Sequence, residues 1–233
     1  MTSKYFSNCP KFYYINLDRS EERKTKLETE FNKYSISYQR IEAVDGNDLE
    51  TWDHRLSKYE QGCTLSHFKA IETFYKTQEP VGIICEDDIT FEFLTMWKTS
   101  IENILKNAPI DWEIIMISYI VWPNNSRFLV SNLYNPFVPL AHSGTGAYII
   151  NREGAKKILD KHNFNTPNLE NYTKIRPVAD VIIYDLVKTY VYKYCLFTFA
   201  NDNVSTIHGV GSEQKHEITE HSTKKLARYI YSL

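Results

Sequence analysis

The sequence predicts an α/β fold with a central, mostly parallel sheet flanked by helices. Three observations carry this. Short β-rich runs alternate with stretches of helical hydrophobic spacing, the pattern that builds parallel sheets through crossover helices. One run, Val81 to Cys85 (VGIIC), is wholly apolar, as expected of a strand covered on both faces. Finally, 42% of the 233 residues are hydrophobic and 24% charged, which supports a sizeable core and argues against wholesale disorder. The chain reads as one domain over 1–233, with a core at 12–199 and a polar, partly mobile C-terminal segment at 200–233.

The elements follow in order. Phe12 to Leu17 (FYYINL) is a strand. From Ser20, Leu27, Phe31 and Tyr34 recur at i, i+4, i+7 among charges, a helix with Asp18 or Ser20 as its cap. Tyr38 to Val44 alternates as a second strand, ended by the turn residues Asp45-Gly46-Asn47. Leu65, Phe68, Ile71 and Phe74 mark a helix that Ser66 and His67 open. After the VGIIC strand come a helix through Trp97, Ile101 and Ile104 or Leu105, then a strand from Glu113 to Tyr119. Trp122 to Pro139 reads as an irregular excursion whose aromatics Trp122, Tyr134 and Phe137 suit either sugar stacking or lid packing. Gly146 to Ile150 is a strand, and Asn151 caps a helix carrying Ala155, Ile158 and Leu159. Val178 to Val187 and Tyr194 to Phe199 supply a last helix and strand.

Composition narrows the function classes. With 27 Lys and Arg against 29 Asp and Glu, the net charge is −2, without the basic surplus of a nucleic-acid binder. Cys9, Cys63, Cys85 and Cys195 lie far apart and form no CxxC pair, which fits free thiols in a reduced protein. The opening residues lack the apolar stretch of a signal peptide, and no run of about 18 apolar residues suggests a membrane span. The expectation is a cytoplasmic or otherwise intracellular soluble chain, or one separated from its targeting segment.

Chemistry concentrates at Cys85-Glu86-Asp87-Asp88-Ile89, where the apolar strand runs into three acids. Strand alternation would put Glu86 and Asp88 on one face and Asp87 on the other. Two carboxylates together at a strand's C-terminal end make a hard oxygen site suited to Mn²⁺ or Mg²⁺, in the place where open parallel sheets bind ligands. A solvated acidic turn is the plainer alternative. Gly144-x-Gly146 superficially suggests a dinucleotide fingerprint but lacks the strand before and helix after that such a loop requires.

In their order along the chain, several blocks resemble glycosyltransferase family 25, the group of bacterial lipooligosaccharide galactosyltransferases and collagen hydroxylysine galactosyltransferases. They are Ile15-Asn16-Leu17-Asp18-Arg19 with Arg23, Ala43-Val44-Asp45-Gly46, Gly62-Cys63 with Ser66-His67, and Glu86-Asp87-Asp88. Asp111 to Ile115, Gly144 to Tyr148 with Gly154-Ala155, and Val178-Ala179-Asp180 complete the series.

The resemblance implies a GT-A-like domain and a metal-dependent enzyme moving galactose or glucose from a UDP-sugar to a hydroxyl acceptor. That acceptor would lie on a glycan or a hydroxylysine-type protein site. It implies Glu86 and Asp88 as metal ligands, with His208 in the His208-Gly209 loop completing the shell. Donor contacts would come from Asn16, Leu17, Asp18, Arg19, Arg23, Asp45, Ser66, His67 and Asp87. Asp180 would be the general base of an inverting transfer, with Asp185 as the fallback; in a retaining enzyme Asp180 would only orient the acceptor. Structural alternatives exist for each: a solvated helix start for Arg19 and Arg23, a buried structural histidine for His67, a helix N-terminal acid for Asp180, an exposed loop for His208. His216 and His221 read as solvated. The rival functions are a transferase-like binding module without catalysis and a nucleotide-sugar hydrolase.

Overall fold

The computed structural model describes residues 3–50, 53–121, 132–139, 141–162, 176–200 and 213–232. The first strand, β1 (Phe12–Asn16), is buried along its whole length. Its alternating side chains meet two different helices. Phe12 and Tyr14 pack on Phe31 of α1 (Glu21–Lys33), while Tyr13 packs on Phe74 of α2 (Lys58–Lys76). The two helices therefore cover opposite faces of β1, as the period-two rule requires. Ser20 precedes α1 without a side-chain capping bond, and Asp18 instead pairs with Arg40. The strand β2 (Tyr38–Glu42) runs parallel beside β1.

A short 3₁₀ turn at Gly46–Asp48, capped by Asp45, presses against α2. The contact depends on absent side chains. A Cβ on Gly62 would stand 2.7 Å from the Val44 carbonyl oxygen and 3.1 Å from the Gly46 nitrogen. A Cβ on Gly46 would meet the Lys58 carbonyl oxygen at 2.7 Å. Gly62→Ala is therefore expected to cost about 1–3 kcal/mol, as overpacking does, and denaturant unfolding against wild type measures it. The Ser57–Glu60 capping box starts α2, so Ser66 and His67 lie in mid-helix instead of opening it.

The strand β3 (Val81–Glu86) is parallel to β1, and a two-residue strand β4 (Ile89–Thr90) follows the acidic turn. The expected helix around Trp97 starts later, as α3 (Ile101–Lys106), with Ser100 as its cap. Trp97 is instead a buried anchor whose indole N–H donates to the Leu196 carbonyl at 3.2 Å. Next come β5 (Ile114–Val121), β6 (Tyr134–Pro136) and β7 (His142–Asn151), then α4 (Arg152–Lys161) with Asn151 capping it through the Gly154 N–H at 2.8 Å. Gly144 and Gly146 both lie inside β7, so they form no phosphate-binding loop.

The helix expected to reach Val187 ends earlier, as α5 (Ala179–Tyr184). That leaves Thr189–Tyr192 to form β8, parallel to β5, a strand missing from the sequence reading. The expected strand from Tyr194 shrinks to β9 (Thr198–Phe199), which pairs with β4 in a separate two-stranded sheet. The polar C-terminal stretch carries α6 (Glu213–Ser232), which buries Ala227, Ile230 and Tyr231. The Tyr231 hydroxyl donates to the Cys195 carbonyl at 3.1 Å, anchoring the helix.

The main sheet has the order β2-β1-β3-β7-β5-β8-β6. Among the described strands, β1, β2, β3, β5 and β8 point one way, and β6 and β7 run against them. The C-terminal ends of β1 and β3 thus lie side by side, which makes a crevice there. All four cysteines are free thiols. No helix among the described residues is long and apolar enough to cross a membrane.

Candidate functional site

A cleft opens at the C-terminal ends of β1 and β3. Such ends are where open α/β sheets bind ligands. The end of β1 supplies Asn16, the loop after it Leu17, Arg19 and Ser20, and the first turn of α1 adds Arg23. The loop after β2 gives Ala43, Val44 and Gly46; α2 gives Tyr59, Cys63, Ser66 and His67. Glu86 and Asp87 close the floor.

Several wall residues use their polar atoms to hold the cleft in shape. Asn16 is buried, and its amide donates to Ser20 O at 3.1 Å and to Asp87 Oδ2 at 2.7 Å while accepting from Arg40 Nε at 2.9 Å. Ser66 Oγ donates to the Gly62 carbonyl at 2.6 Å and accepts from the Val44 N–H at 2.8 Å. That pair staples the loop after β2 onto α2. Arg19 forms an ion pair with Asp45, whose carboxylate also accepts from the Asn47 N–H at 2.9 Å. Asp18 is exposed, pairs with Arg40, and does not line the cleft.

The three acids separate. Glu86, the last residue of β3, projects to the α2 face and Asp87 to the α1 face, as alternation demands. The strand then ends, and Asp88 falls in the turn that follows. Arg23 Nη1 stands 3.4 Å from Asp87 Oδ1 and 3.8 Å from Asp88 Oδ2. Both aspartates therefore share the arginine, and Asp88 is absent from the cleft wall. Burial holds the Asp87 carboxyl above the usual aspartate range, against the lowering effect of Asn16 and Arg23.

Glu86 meets a different set. Thr145 Oγ1 donates to its Oε1 at 2.6 Å, and His67 Nε2 lies 3.5 Å from the same oxygen. Burial works to raise this carboxyl, but the groups of His67, Thr145 and Arg23 outweigh it and hold it below the usual glutamate range. His67 is fully buried, with its Nδ1 3.2 Å from the Tyr148 hydroxyl. Cys63 stands alongside: single donor atoms of Cys63, His67 and Glu86 all lie within 4.8 Å of one another. Burial, then the charges of Glu86 and Asp180, push the Cys63 thiol well up.

Asp180 sits in the first turn of α5, within electrostatic reach of Glu86 and outside the residues that line the cleft. Its carboxylate accepts from the N–H groups of Gly144 and Val181, each at 2.9 Å. Gly144 has φ +93°, where strand β7 slips its register against β5. The irregularity turns the Gly144 N–H to Asp180 and the next side chain, Thr145, to Glu86, so one short stretch of backbone holds both acids. Burial keeps the Asp180 carboxyl above the usual aspartate range despite those donors.

Of the residues expected from sequence, Asn16, Leu17, Arg19, Arg23, Ser66, His67, Glu86 and Asp87 meet at the cleft. Asp45 touches it through Arg19, while Asp18, Asp88 and Asp180 stand outside its wall. Asp185 is exposed at the end of α5. His208 and Trp122 lie outside the described residues, as do the side chains of His216 and His221. Tyr134 and Phe137 pack inward on Tyr192 and Tyr184. Tyr59, Cys63 and Thr145 were missed. Cys63 and Thr145 stood inside motif blocks with nothing local to assign them, whereas Tyr59 carried no signal.

The sequence profile of "Glycosyltransferase family 25 (LPS biosynthesis protein)" matches residues 9–168. A "Glycosyltransferase 25 family member" of Drosophila melanogaster is 30% identical over 172 residues, 64% of this chain and 27% of that protein. One of Anopheles gambiae is 27% identical over 67% of this chain and 31% of the other. "Procollagen galactosyltransferase 2" of Homo sapiens is 26% identical over 70% of this chain and 30% of the other. The chain thus spans about a third of the length of these relatives. A crystal structure of a glycosyltransferase involved in the glycosylation of the major capsid of PBCV-1 aligns over 90% of this chain and 99% of that one, with a TM-score of 0.40 and 9% identity. Since the matched stretch runs from the lead-in to β1 through the cleft and its Gly144 bend, the chain belongs to glycosyltransferase family 25.

Proposed function

We propose that this chain transfers a hexose, galactose or glucose, from a UDP-sugar to a hydroxyl of a glycan or protein acceptor, with inversion at the anomeric carbon. The observation that carries the reading is the cleft at the ends of β1 and β3, with Arg19 and Arg23 on its wall. Family membership supports the reaction class, and the relatives named as procollagen galactosyltransferases favour galactose.

In this reading the nucleoside lies against Leu17, Val44 and Gly46, and the diphosphate reaches Arg19 and Arg23. Charge builds on the leaving β-phosphate as the sugar–oxygen bond breaks, and a planar guanidinium with several donors suits that anion. Asp180 takes the proton of the acceptor hydroxyl as it attacks from the far side. A carboxylate with a raised pKa is the better base for this task, and the Gly144 and Val181 N–H groups fix its direction.

A hard dication, Mn²⁺ or Mg²⁺, shared by Glu86 and Asp88 is not what the donor atoms among the described residues favour, since Glu86 gathers with Cys63 and His67. Glu86 keeps company with a thiol and an imidazole, while Asp88 stands beside Arg23. No step is therefore assigned to such an ion. The reading is tested by offering UDP-galactose and UDP-glucose with glycan and hydroxylysine-peptide acceptors and measuring free and acceptor-linked sugar separately. Acceptor-linked sugar is the expected product. Free sugar alone would make the protein a hydrolase, and failure to bind either donor would make it a binding module.

A further inference from the structure

Cys63, His67 and Glu86 take no part in the transfer as described, yet they converge on the floor of the cleft. Cys63 and His67 are four residues apart on α2, so they project from one face a turn apart. Glu86 approaches from the end of β3 and completes a triangle of donor atoms within 4.8 Å. The His67 ring is 0% exposed, and its Nε2, aimed at Glu86, has no hydrogen-bond partner. Buried polar atoms left in that state are rare and call for an explanation.

The surroundings have the form of a metal centre's outer layer. A ligating histidine characteristically has its second ring nitrogen held by a hydrogen bond, and Tyr148 does this at Nδ1. A ligating carboxylate is likewise hydrogen-bonded, and Thr145 does this for Glu86. All three candidate ligands border the cleft, which leaves a fourth position open toward it.

We propose that Cys63 Sγ, His67 Nε2 and a Glu86 oxygen bind one divalent cation of the zinc class. One thiol, one imidazole and one carboxylate form a borderline-soft set that suits Zn²⁺ or Co²⁺ and disfavours Mg²⁺ and Mn²⁺. When the metal–sulfur bond forms, the Cys63 thiol proton leaves to solvent, and the two anionic ligands then neutralise the ion's charge. The open position takes water or, resting here on the proposed function, an oxygen of the donor diphosphate.

The test uses the full chain, stripped of metal and titrated with Co²⁺ alone. A one-to-one complex with a near-ultraviolet thiolate-to-cobalt charge-transfer band is expected, displaced by Zn²⁺. Cys63→Ser is expected to abolish the band and weaken Zn²⁺ binding at least tenfold. Should that variant fold poorly by circular dichroism, wild type still decides the matter: Zn²⁺ should slow alkylation of Cys63, mapped by mass spectrometry, without slowing that of Cys9. No thiolate band together with unchanged Cys63 alkylation would overturn the site and leave a His67–Glu86 ion pair only. UDP binding, measured in parallel without metal, separates the two ideas. A protein that binds UDP but shows no cobalt band loses only the metal site; one that shows the band but binds no UDP loses only the donor reading.

Discussion

Asp180→Asn should lower sugar transfer by about 10²- to 10⁴-fold, the usual contribution of a positioned general base. UDP affinity should stay within about twofold, because Asp180 stands off the wall of the cleft. The substitution keeps the shape of the side chain but offers one acceptor where the carboxylate satisfies two N–H groups, those of Gly144 and Val181. A modest loss of stability, about 1–2 kcal/mol, is the expected side effect. The pH profile adds an independent readout. A base must be deprotonated to act, and burial holds this carboxyl above the usual aspartate range, so kcat/KM should rise with pH through that elevated value. A variant that transfers at the wild-type rate would remove Asp180 from the chemistry.

Arg23→Met has the second large effect, on binding and stability together. Loss of a charge-assisted contact to the diphosphate is expected to cost about 1.5–3 kcal/mol, a weakening of UDP binding by roughly ten- to a hundredfold. The same change strips Asp87 and Asp88 of a guanidinium that stands 3.4 and 3.8 Å away. Since these side chains keep some solvent contact, about 1–2 kcal/mol of stability is the expected loss at neutral pH. The sign with pH follows from Asp87, whose folded-state pKa is already raised by burial and rises further without Arg23. A raised acid stabilises the fold below its unfolded pKa and loses that contribution as pH rises through the folded value. The stability gap between variant and wild type should accordingly narrow as the pH is lowered through Asp87's titration. Denaturant unfolding over a pH series, with UDP calorimetry, measures both effects.

What could be read from sequence depended on how local the cause was. The strands β1 and β3 were legible because an apolar run between polar flanks needs no partner to be recognised, and the β1 loop and acidic turn then fall at neighbouring strand ends. Helix α6 escaped because its burial stripe, Ala227, Ile230 and Tyr231, is narrow and set among charges, so composition masked the spacing. Strand β8 escaped because apolar residues run from α5 nearly into it, hiding the boundary at Tyr184. The acidic turn was half legible: alternation separates Glu86 from Asp87, while Asp88 lies in the turn beyond the strand's end, where alternation no longer applies. The partners of Glu86 could not be read at all. Thr145 lies 59 residues away in sequence, and Tyr148 lies 81 residues from His67, so only the assembled sheet brings them together.

The central claim is that the cleft at the ends of β1 and β3 receives the nucleotide of a sugar donor. Hydrogen exchange of the full chain with and without saturating UDP tests it most directly, since it reports where the ligand sits as well as whether it binds. The account predicts slower exchange at Leu17 to Arg23, at Val44 to Asn47, and in the first turns of α2. Unchanged exchange in those segments, or protection confined to the β6–β8 side of the sheet, would contradict it.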